Sequence, residues 1–396
     1  MRVVLIADTF PPLRNSGAVQ LRDLSKEFAR QGHSLTVALP SAEISMPWEL
    51  EEADGYQILR LRAPETKDIG YVRRTIGEFF MPFFMRRNFQ KSPLGENQWD
   101  GVVWYAPSIF HAPFANFLKK TSHCKGYLII RDIFPEWAVD MGLMRKGLAY
   151  YFFDRVAKYQ YSVADTIGVQ TPGNASYFKK WTEKSGRKLE VLQNWLDKPA
   201  QLSCSLRVDA THLAGRKIFV YAGNMGVAQG MDIILDLAKK FLHRSDVGFI
   251  FVGRGSEAAR LKNIAQQKAL NNVLFFDEIL PDEIPDLYSQ CTAGIVALDP
   301  RHKTHNIPGK FLTYMQSGLP VLANINSGND LAEVIRSERV GQVCESNNID
   351  DLSRAAHVLL EQLDQDAEIG VRCHQIFEKE FSVDRAVSKI IASLKC

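Results

Sequence analysis

One stretch at mid-chain constrains the fold more than any other. Ile218-Phe-Val-Tyr-Ala-Gly223 is followed by Asn-Met-Gly-Val-Ala-Gln-Gly230 and then by Met231-Asp-Ile-Ile-Leu-Asp-Leu-Ala238. An apolar run of five ends in a turn with three glycines, and Ile233, Ile234 and Leu237 then recur at helical spacing. The reading is strand, turn, helix, with the turn at the carboxyl end of the strand. Open α/β sheets bind anions at that place, because glycine lets backbone approach a ligand and the free amides of a helix start favour negative charge. Glycine also permits tight strand–helix packing, so a lone turn of this kind decides nothing. Here the chain opens in the same way, with Val3-Val-Leu-Ile-Ala-Asp8, a loop holding Ser16-Gly17-Ala18, and a helix from about Val19 to Arg30.

Alternation continues from there. Strands are predicted at Val3–Ala7, Ser34–Leu39, Tyr56–Leu61, Gly101–Tyr105, Tyr127–Arg131 and Thr166–Gln170, with helices at 19–30, 108–120 and 147–163. Such alternation implies a mostly parallel sheet with right-handed crossovers. Asn194 to Gly215 is polar, lacks periodicity and reads as a linker. The pattern then restarts, with strands at Ile218–Tyr221, Gly248–Val252, Val273–Phe276, Ala293–Ala297 and Pro320–Ala323. The expectation is α/β, with two Rossmann-like doubly wound domains, 1–195 and 196–376, facing across a cleft. Residues 377–396 form a last helix that packs back on the first domain through Ile390, Ile391 and Leu394.

Composition excludes several classes of protein. The chain has 396 residues, 48 Lys and Arg against 45 Asp and Glu, a balance that argues for no nucleic-acid partner. Its six cysteines are scattered without paired spacing, which suggests neither a zinc site nor a disulfide framework and suits a reducing cytosol. The opening apolar run is too short for a signal sequence, and no stretch approaches the roughly 20 apolar residues of a spanning helix.

Residues 71–91 break the alternation. Phe79, Phe80, Phe83 and Phe84, with Met81 and Met85, lie between Arg73, Arg74 on one side and Arg86, Arg87 and Lys91 on the other. Bulky apolar residues between basic pairs suit an anionic membrane surface. A core helix whose arginines reach out to solvent has the same composition. Tyr150-Tyr-Phe-Phe-Asp-Arg155 is a weaker example and reads as core.

Three further stretches carry a resemblance: Ile130-Arg-Asp-Ile-Phe-Pro-Glu-Trp-Ala-Val-Asp140, Tyr221 to Gly230, and Pro308-Gly-Lys-Phe-Leu-Thr-Tyr-Met-Gln-Ser-Gly-Leu-Pro-Val321. With the opening Phe10-Pro-Pro, they resemble retaining glycosyltransferases of the GT-B fold, family 4, in the branch of bacterial aminosugar transferases of O-antigen and capsule synthesis. The resemblance implies a nucleotide-sugar donor, UDP-linked, held by the second domain and an acceptor held by the first. Gly223 and Gly226 would then meet a phosphate, and Gly17 would approach it from the first domain. Lys310 would supply the full charge that stabilises a diphosphate leaving group. The competing reading of Lys310 is a surface lysine at a helix start, where it would oppose the helix dipole.

The departures from the family pattern are specific. Many members carry Arg and Lys in the mid-chain turn where this chain has Asn224 and Gln229, so Lys310, helped by Arg254, would have to provide the charge. Two glutamates eight residues apart are replaced by His305 and Thr313, and a single hydroxyl cannot make a carboxylate's bidentate ribose contact. Arg131 stands where a histidine is common. Asp132 and Glu136, after a strand end, are the best candidates for a carboxylate reaching an acceptor hydroxyl or the donor sugar. A salt bridge or helix cap for Asp132, and a first-turn helix position for Glu136, fit equally well. His111 is a candidate for the acceptor side, or a structural histidine.

No metal is required by this reading. Asp364-Gln-Asp366 reads as a solvated face, and His302-Lys-Thr-His305 lacks further ligands. Retention would proceed with the diphosphate itself taking the acceptor proton, as the resemblance implies. The function expected is transfer of an N-acetylated amino or deoxyamino sugar to a lipid-diphosphate-linked saccharide at the cytoplasmic face of the plasma membrane, with peripheral association. A UDP-sugar epimerase of the same fold and a degenerate, non-catalytic binding subunit remain open.

Overall fold

The computed structural model describes residues 1–13, 15–67, 69–140, 142–198, 202–299 and 306–395. The chain divides into two compact units, Met1–Asp197 with Val383–Cys396, and Lys198–Ser382. The first unit runs on to Asp197, which Arg30 holds at 2.6 Å. The return to that unit begins at Val383 and not at 377, because Phe377 and Phe381 are buried in the second unit, where Phe381 meets the Phe311 ring edge-on at 5.9 Å.

The first unit begins with β1 (Arg2–Ile6) and α1 (Ser16–Arg30). The Asn15 side chain starts that helix, accepting from the Ala18 N–H at 2.8 Å as an N-cap should. Then come β2 (Ser34–Ser41), β3 (Trp48–Ala53), β4 (Tyr56–Arg62), α2 (Tyr71–Phe89), β5 (Gly101–Tyr105) and α3 (Ala112–Ser122). The run closes with β6 (Lys125–Ile129), α4 (Glu136–Asp140), α5 (Leu148–Val163), β7 (Thr166–Val169), α6 (Lys179–Thr182) and β8 (Lys188–Val191). The sheet order is β3-β4-β2-β1-β5-β6-β7-β8. All pairings are parallel except β3 with β4. The edge strands β3 and β8 were not predicted; both are short and carry polar residues. Helix α3 starts at Ala112, where residue 108 was predicted, because Pro113 suits a first turn.

The second unit alternates regularly: β9 (Lys217–Ala222), α7 (Asp232–Lys240), β10 (Val247–Val252), α8 (Ala258–Gln267), β11 (Val273–Phe276) and α9 (Ile284–Ser289). It continues with β12 (Ala293–Ala297), α10 (Gly309–Gln316), β13 (Val321–Asn324), α11 (Asp330–Glu338), β14 (Gly341–Cys344), α12 (Ile349–Gln365) and α13 (Ile369–Ile376). Its order is β11-β10-β9-β12-β13-β14, parallel throughout. The final helix, α14 (Val383–Lys395), buries Val387, Ile390, Ile391 and Leu394 with Val3 and Leu5 of the first sheet. Gly101 makes that contact possible: a Cβ there would lie 2.6 Å from the Leu394 side chain.

Each sheet reverses its winding once, between β1 and β5 in the first and between β9 and β12 in the second. At such switch points the loops leaving the two central strands diverge and open a crevice at the carboxyl ends. Among the described residues no helix is long and apolar enough to cross a membrane.

Candidate functional site

In the second unit the loop after β9 sits at the switch point. Gly223 has φ +135, a conformation natural to glycine, and its N–H donates to the Val252 carbonyl at 2.9 Å. The neighbouring loop after β10 is locked onto it. A Cβ on Gly253 would lie 2.2 Å from the Gly223 oxygen, and one on Gly255 would lie 2.2 Å from the Met225 oxygen. Two glycine turns thus interlock, and neither tolerates a side chain at these points.

Lys310 is in the first turn of α10, whose N-cap, Pro308, offers no side-chain acceptor to the helix amides. Its ammonium is turned inward: Nζ lies 4.4 Å from the centroid of the Tyr221 ring and 3.4 Å from where a Gly223 Cβ would stand. No carboxylate pairs with it among the described residues. Burial alone pushes its pKa down, from 10.5 to about 8. A half-buried cation, an uncapped helix start and a glycine turn share one place, and an anion would satisfy all three.

Below them, Tyr314, in the second turn of α10, ties that helix to the sheet. Its hydroxyl lies 3.1 Å from both the Val220 and the Ile295 carbonyl oxygens. The ring can lie against the strand because residue 294 is glycine; a Cβ there would come within 2.6 Å of it. Tyr221, Gly294 and Tyr314 were not singled out from the sequence, since only the β9–β12 pairing brings them under Lys310.

The two neutral residues of the turn engage each other. The Gln229 side-chain oxygen accepts from the Gly226 N–H at 2.9 Å, and the Asn224 amide approaches it at 3.4 Å. Arg254 is exposed on the adjoining turn and pairs with Glu278 at 3.2 Å. The Thr313 hydroxyl turns back to the Gly309 carbonyl at 3.4 Å. His305 lies outside the described residues.

In the first unit, Gly17, Tyr105, Arg131 and Asp132 gather at the carboxyl ends of β1, β5 and β6. A Cβ on Gly17 would stand 3.3 Å from the Tyr105 hydroxyl. Arg131 is buried, donating to the Leu192 carbonyl at 2.7 Å and the Gln193 carbonyl at 3.3 Å, with its guanidinium 4.6 Å from the centre of the Trp195 ring. It also bonds Tyr105. Arg131 is therefore a bolt between β6 and the chain after β8, which places the exposed Asp132 beside it.

His111 is completely buried just before α3, and neither ring nitrogen has a hydrogen-bond partner among the described residues. Burial lowers its pKa, opposed by the Asp8 carboxylate, so the ring is held neutral. Glu136 stands apart from Asp132, at the start of α4. Burial raises its pKa, and the charges that act on it come from Asp154, Lys158 and Asp140.

Helix α2 divides between the two readings of its sequence. Met81, Met85 and Phe89 are buried in the core, whereas Phe79, Phe80, Phe83 and Phe84 are 40–50% exposed. Arg73, Arg74, Arg86 and Arg87 are all exposed. Arg74 pairs with Glu78 at 2.8 Å and Arg86 lies 4.5 Å over the Phe117 ring. The reading of 150–155 as core is corrected: Tyr151 and Phe152 are 61% and 41% exposed, because α5 covers the sheet with only its Ala157, Gln160 and Val163 edge fully buried.

Among the described residues no group of three or more His, Cys, Asp or Glu is placed to hold a metal. Asp364 pairs with Lys217 and Asp366 with Arg372.

Comparison with known proteins bears on this arrangement. Residues 216–362 match the family model described as Glycosyl transferases group 1. The chain is 24% identical over 276 residues to WbjE of Pseudomonas aeruginosa, named as a glycosyltransferase, covering 68% of each chain. It is 25% identical over 278 residues to WcaI of Escherichia coli (strain K12), named for glycosyl transfer in colanic acid biosynthesis, covering 64% of this chain and 62% of that one. Among solved structures it is similar to a sucrose-phosphate synthase from Thermosynechococcus elongatus, with TM-score 0.73, 15% identity and coverage of 99% and 98%. It is also similar to Anabaena HepE in complex with UDP and glucose, with TM-score 0.65, 14% identity and coverage of 100% and 99%. The two doubly wound units have the GT-B fold, residues 216–362, which span the glycine turn and Lys310, match a glycosyl transferase group 1 domain, and the chain resembles enzymes of O-antigen and capsule synthesis.

Proposed function

We propose that the protein is a retaining transferase that moves an N-acetylated amino or deoxyamino sugar from a UDP-sugar to a lipid-diphosphate-linked saccharide in surface polysaccharide synthesis. One observation carries the donor half: a half-buried ammonium, with no carboxylate partner among the described residues, over a glycine turn and beside an uncapped helix start, an environment suited to a diphosphate. The UDP complexes of HepE support the same class of donor. Lys310 neutralises the charge that develops as the glycosidic bond breaks, and it does so without a metal in this reading. The departing diphosphate takes the acceptor proton on the face where the bond forms, so configuration is retained.

The first unit takes the acceptor. Asp132, set by Arg131 at a strand end, is the carboxylate assigned to it, and His111 is a neutral buried ring before α3. The exposed phenylalanines and arginines of α2 collect the acceptor from the cytoplasmic face of an anionic bilayer. Gln229 and Asn224 donate and accept as neutral groups where relatives carry charge, and Lys310 acts without a second cation from that turn.

Titration of the purified protein with UDP and UDP-sugars tests the donor. Saturable binding and a raised melting temperature are expected; absence of both with every nucleoside diphosphate would sink the reading. Turnover with a lipid-linked saccharide, comparing wild type with Lys310→Ala and Asp132→Ala, tests the site. Wild-type rates in both variants would refute it.

A further inference from the structure

A groove of about 340 Å³ lies on the first unit between α2, the start of α3 and α5. Phe79 and Phe83 line it from α2, Phe152 and Tyr159 from α5, and Phe110 and Pro113 from the α3 side; the Phe79 and Phe152 rings meet, with 6.3 Å between their centroids. Its lining is almost entirely apolar, and Phe79, Phe83, Phe152 and Tyr159 are 40–50% exposed, so the groove opens to the outside. A monomer seldom leaves such a lined apolar slot uncovered without a ligand for it.

Charge around the groove narrows the occupant. Arg155 is the one charged residue in the lining, and it pairs with no carboxylate among the described residues. Arg73, Arg74, Arg86 and Arg87 lie along α2, whose single acid, Glu78, is already bound to Arg74. On α5, Asp154 is bound to Lys158 at 2.6 Å. The surroundings therefore present unpaired positive charge beside an aromatic trough, complementary to an anion attached to hydrocarbon. The volume of about 340 Å³ suits one hydrocarbon chain and not the paired chains of a bilayer phospholipid.

We propose that this groove seats the hydrocarbon chain of a single-chain lipid phosphate, with Arg155 on the phosphate. The proposal rests on the lipid-linked acceptor reading and deepens it: the acceptor's lipid is held by the protein and is not merely brought near it by the membrane. Residues 109, 110 and 113 of the lining flank His111 in the chain, so a hydrocarbon chain seated here lies against the α3 start, on the acceptor unit.

The test uses the full chain with farnesyl phosphate as probe, inorganic phosphate as the headgroup control, and flotation with vesicles containing anionic phospholipid as a separate arm. Wild type should bind farnesyl phosphate and show at least about tenfold weaker binding of inorganic phosphate. Val156→Trp fills the groove and Phe83→Ser opens its lining at a half-exposed position. Both should weaken farnesyl phosphate binding by about tenfold or more, and Arg155→Ser should remove the preference for the phosphate over farnesol. Val156→Trp should leave vesicle flotation intact. Flotation without farnesyl phosphate binding would overturn the groove while leaving the membrane reading standing, whereas loss of flotation by wild type would overturn the membrane reading itself. Binding unaltered in both groove variants, or a dimer that Val156→Trp converts to monomer, would also overturn the proposal, the latter in favour of a second copy of the chain.

Discussion

The Lys310 ammonium lies 4.4 Å from the centroid of the Tyr221 ring, so the cation is held by a π face and not by a carboxylate. A carboxylate would have neutralised it and raised its pKa; the ring attracts the charge weakly, by about 0.5–2 kcal/mol, and leaves it available. Burial then sets its pKa at about 8 in the free protein.

The first prediction concerns pH. A bound diphosphate favours the charged ammonium, and the free protein loses that proton as pH rises through about 8. UDP affinity should therefore be level near pH 7 and fall above 8, with a slope approaching about tenfold per pH unit. The terminal phosphate, with a second pKa of about 6, is already ionised across this range and adds no slope. Calorimetric titration from pH 7 to 9.5 would show it. A flat profile would mean that Lys310 does not face the diphosphate.

For the free protein the sign is opposite. Lys310 titrates near 10.5 when exposed and at about 8 when folded, so between these values the unfolded chain binds the extra proton and stability rises with pH. At neutral pH the buried charge is a cost. Lys310→Met should accordingly raise the stability of the unliganded protein by on the order of 1–3 kcal/mol while abolishing its thermal shift with UDP. Thermal unfolding with and without UDP separates the two effects, and a destabilised variant would show that the amine serves packing.

Backbone geometry makes a third prediction. Gly223→Ala places a methyl 3.4 Å from Lys310 Nζ on a residue with φ +135, so backbone strain of about 1–3 kcal/mol and a displaced amine come together. UDP affinity should fall by about tenfold or more, with a lowered melting temperature. Gly215 is the control: its φ is +76 and nothing lies within 4 Å of its Cβ position, so Gly215→Ala should cost stability and leave affinity unchanged. Equal affinity losses in the two variants would count against a specific role for Gly223.

How far the sequence discloses this site follows from the range of the interactions. The central strands are legible because each is an apolar run buried on both faces, and the glycine turns because they punctuate those runs. The edge strands β3, with exposed Glu49, Glu51 and Glu52, and β14, Gly341–Cys344, lack that signal. Helix α2 hides its periodicity because its solvent face is as aromatic as its core face. Tyr314 under Lys310 depends on a glycine 20 residues upstream, and Arg131 on carbonyls about 60 residues downstream, contacts for which local pattern holds no trace.

Arg131 supplies a fourth prediction. Its guanidinium donates to two main-chain carbonyls and bonds Tyr105 over the Trp195 ring. Arg131→His introduces the imidazole common at this place in the family the sequence resembles, yet it cannot span both carbonyls. Unfolding free energy should drop by about 2–4 kcal/mol, because buried carbonyls lose their donors. Arg131→Lys should recover only part of it. Chemical denaturation measures this, and an unchanged midpoint in Arg131→His would show that the bolt between β6 and residues 192–195 carries no stability.

The last prediction separates the arginines of α2 by what already holds them. Arg74 is tied to Glu78 and Arg86 rests on Phe117, whereas Arg73 and Arg87 are exposed with no ion-pair partner among the described residues. Each basic residue free to meet an anionic surface contributes about 1 kcal/mol, so Arg73→Ser with Arg87→Ser should weaken vesicle binding by roughly 30-fold. Arg74→Ser with Arg86→Ser should weaken it less, since those charges are partly spent within the protein, and it should cost some stability through the lost Phe117 contact. Both effects should shrink as salt rises, because the attraction is screened over about 8 Å at physiological ionic strength. Vesicle flotation at two salt concentrations distinguishes the pairs. Equal losses would mean that the internal partners let go at the membrane, and no loss in either pair would make the exposed phenylalanines, and not charge, the basis of any binding by this face.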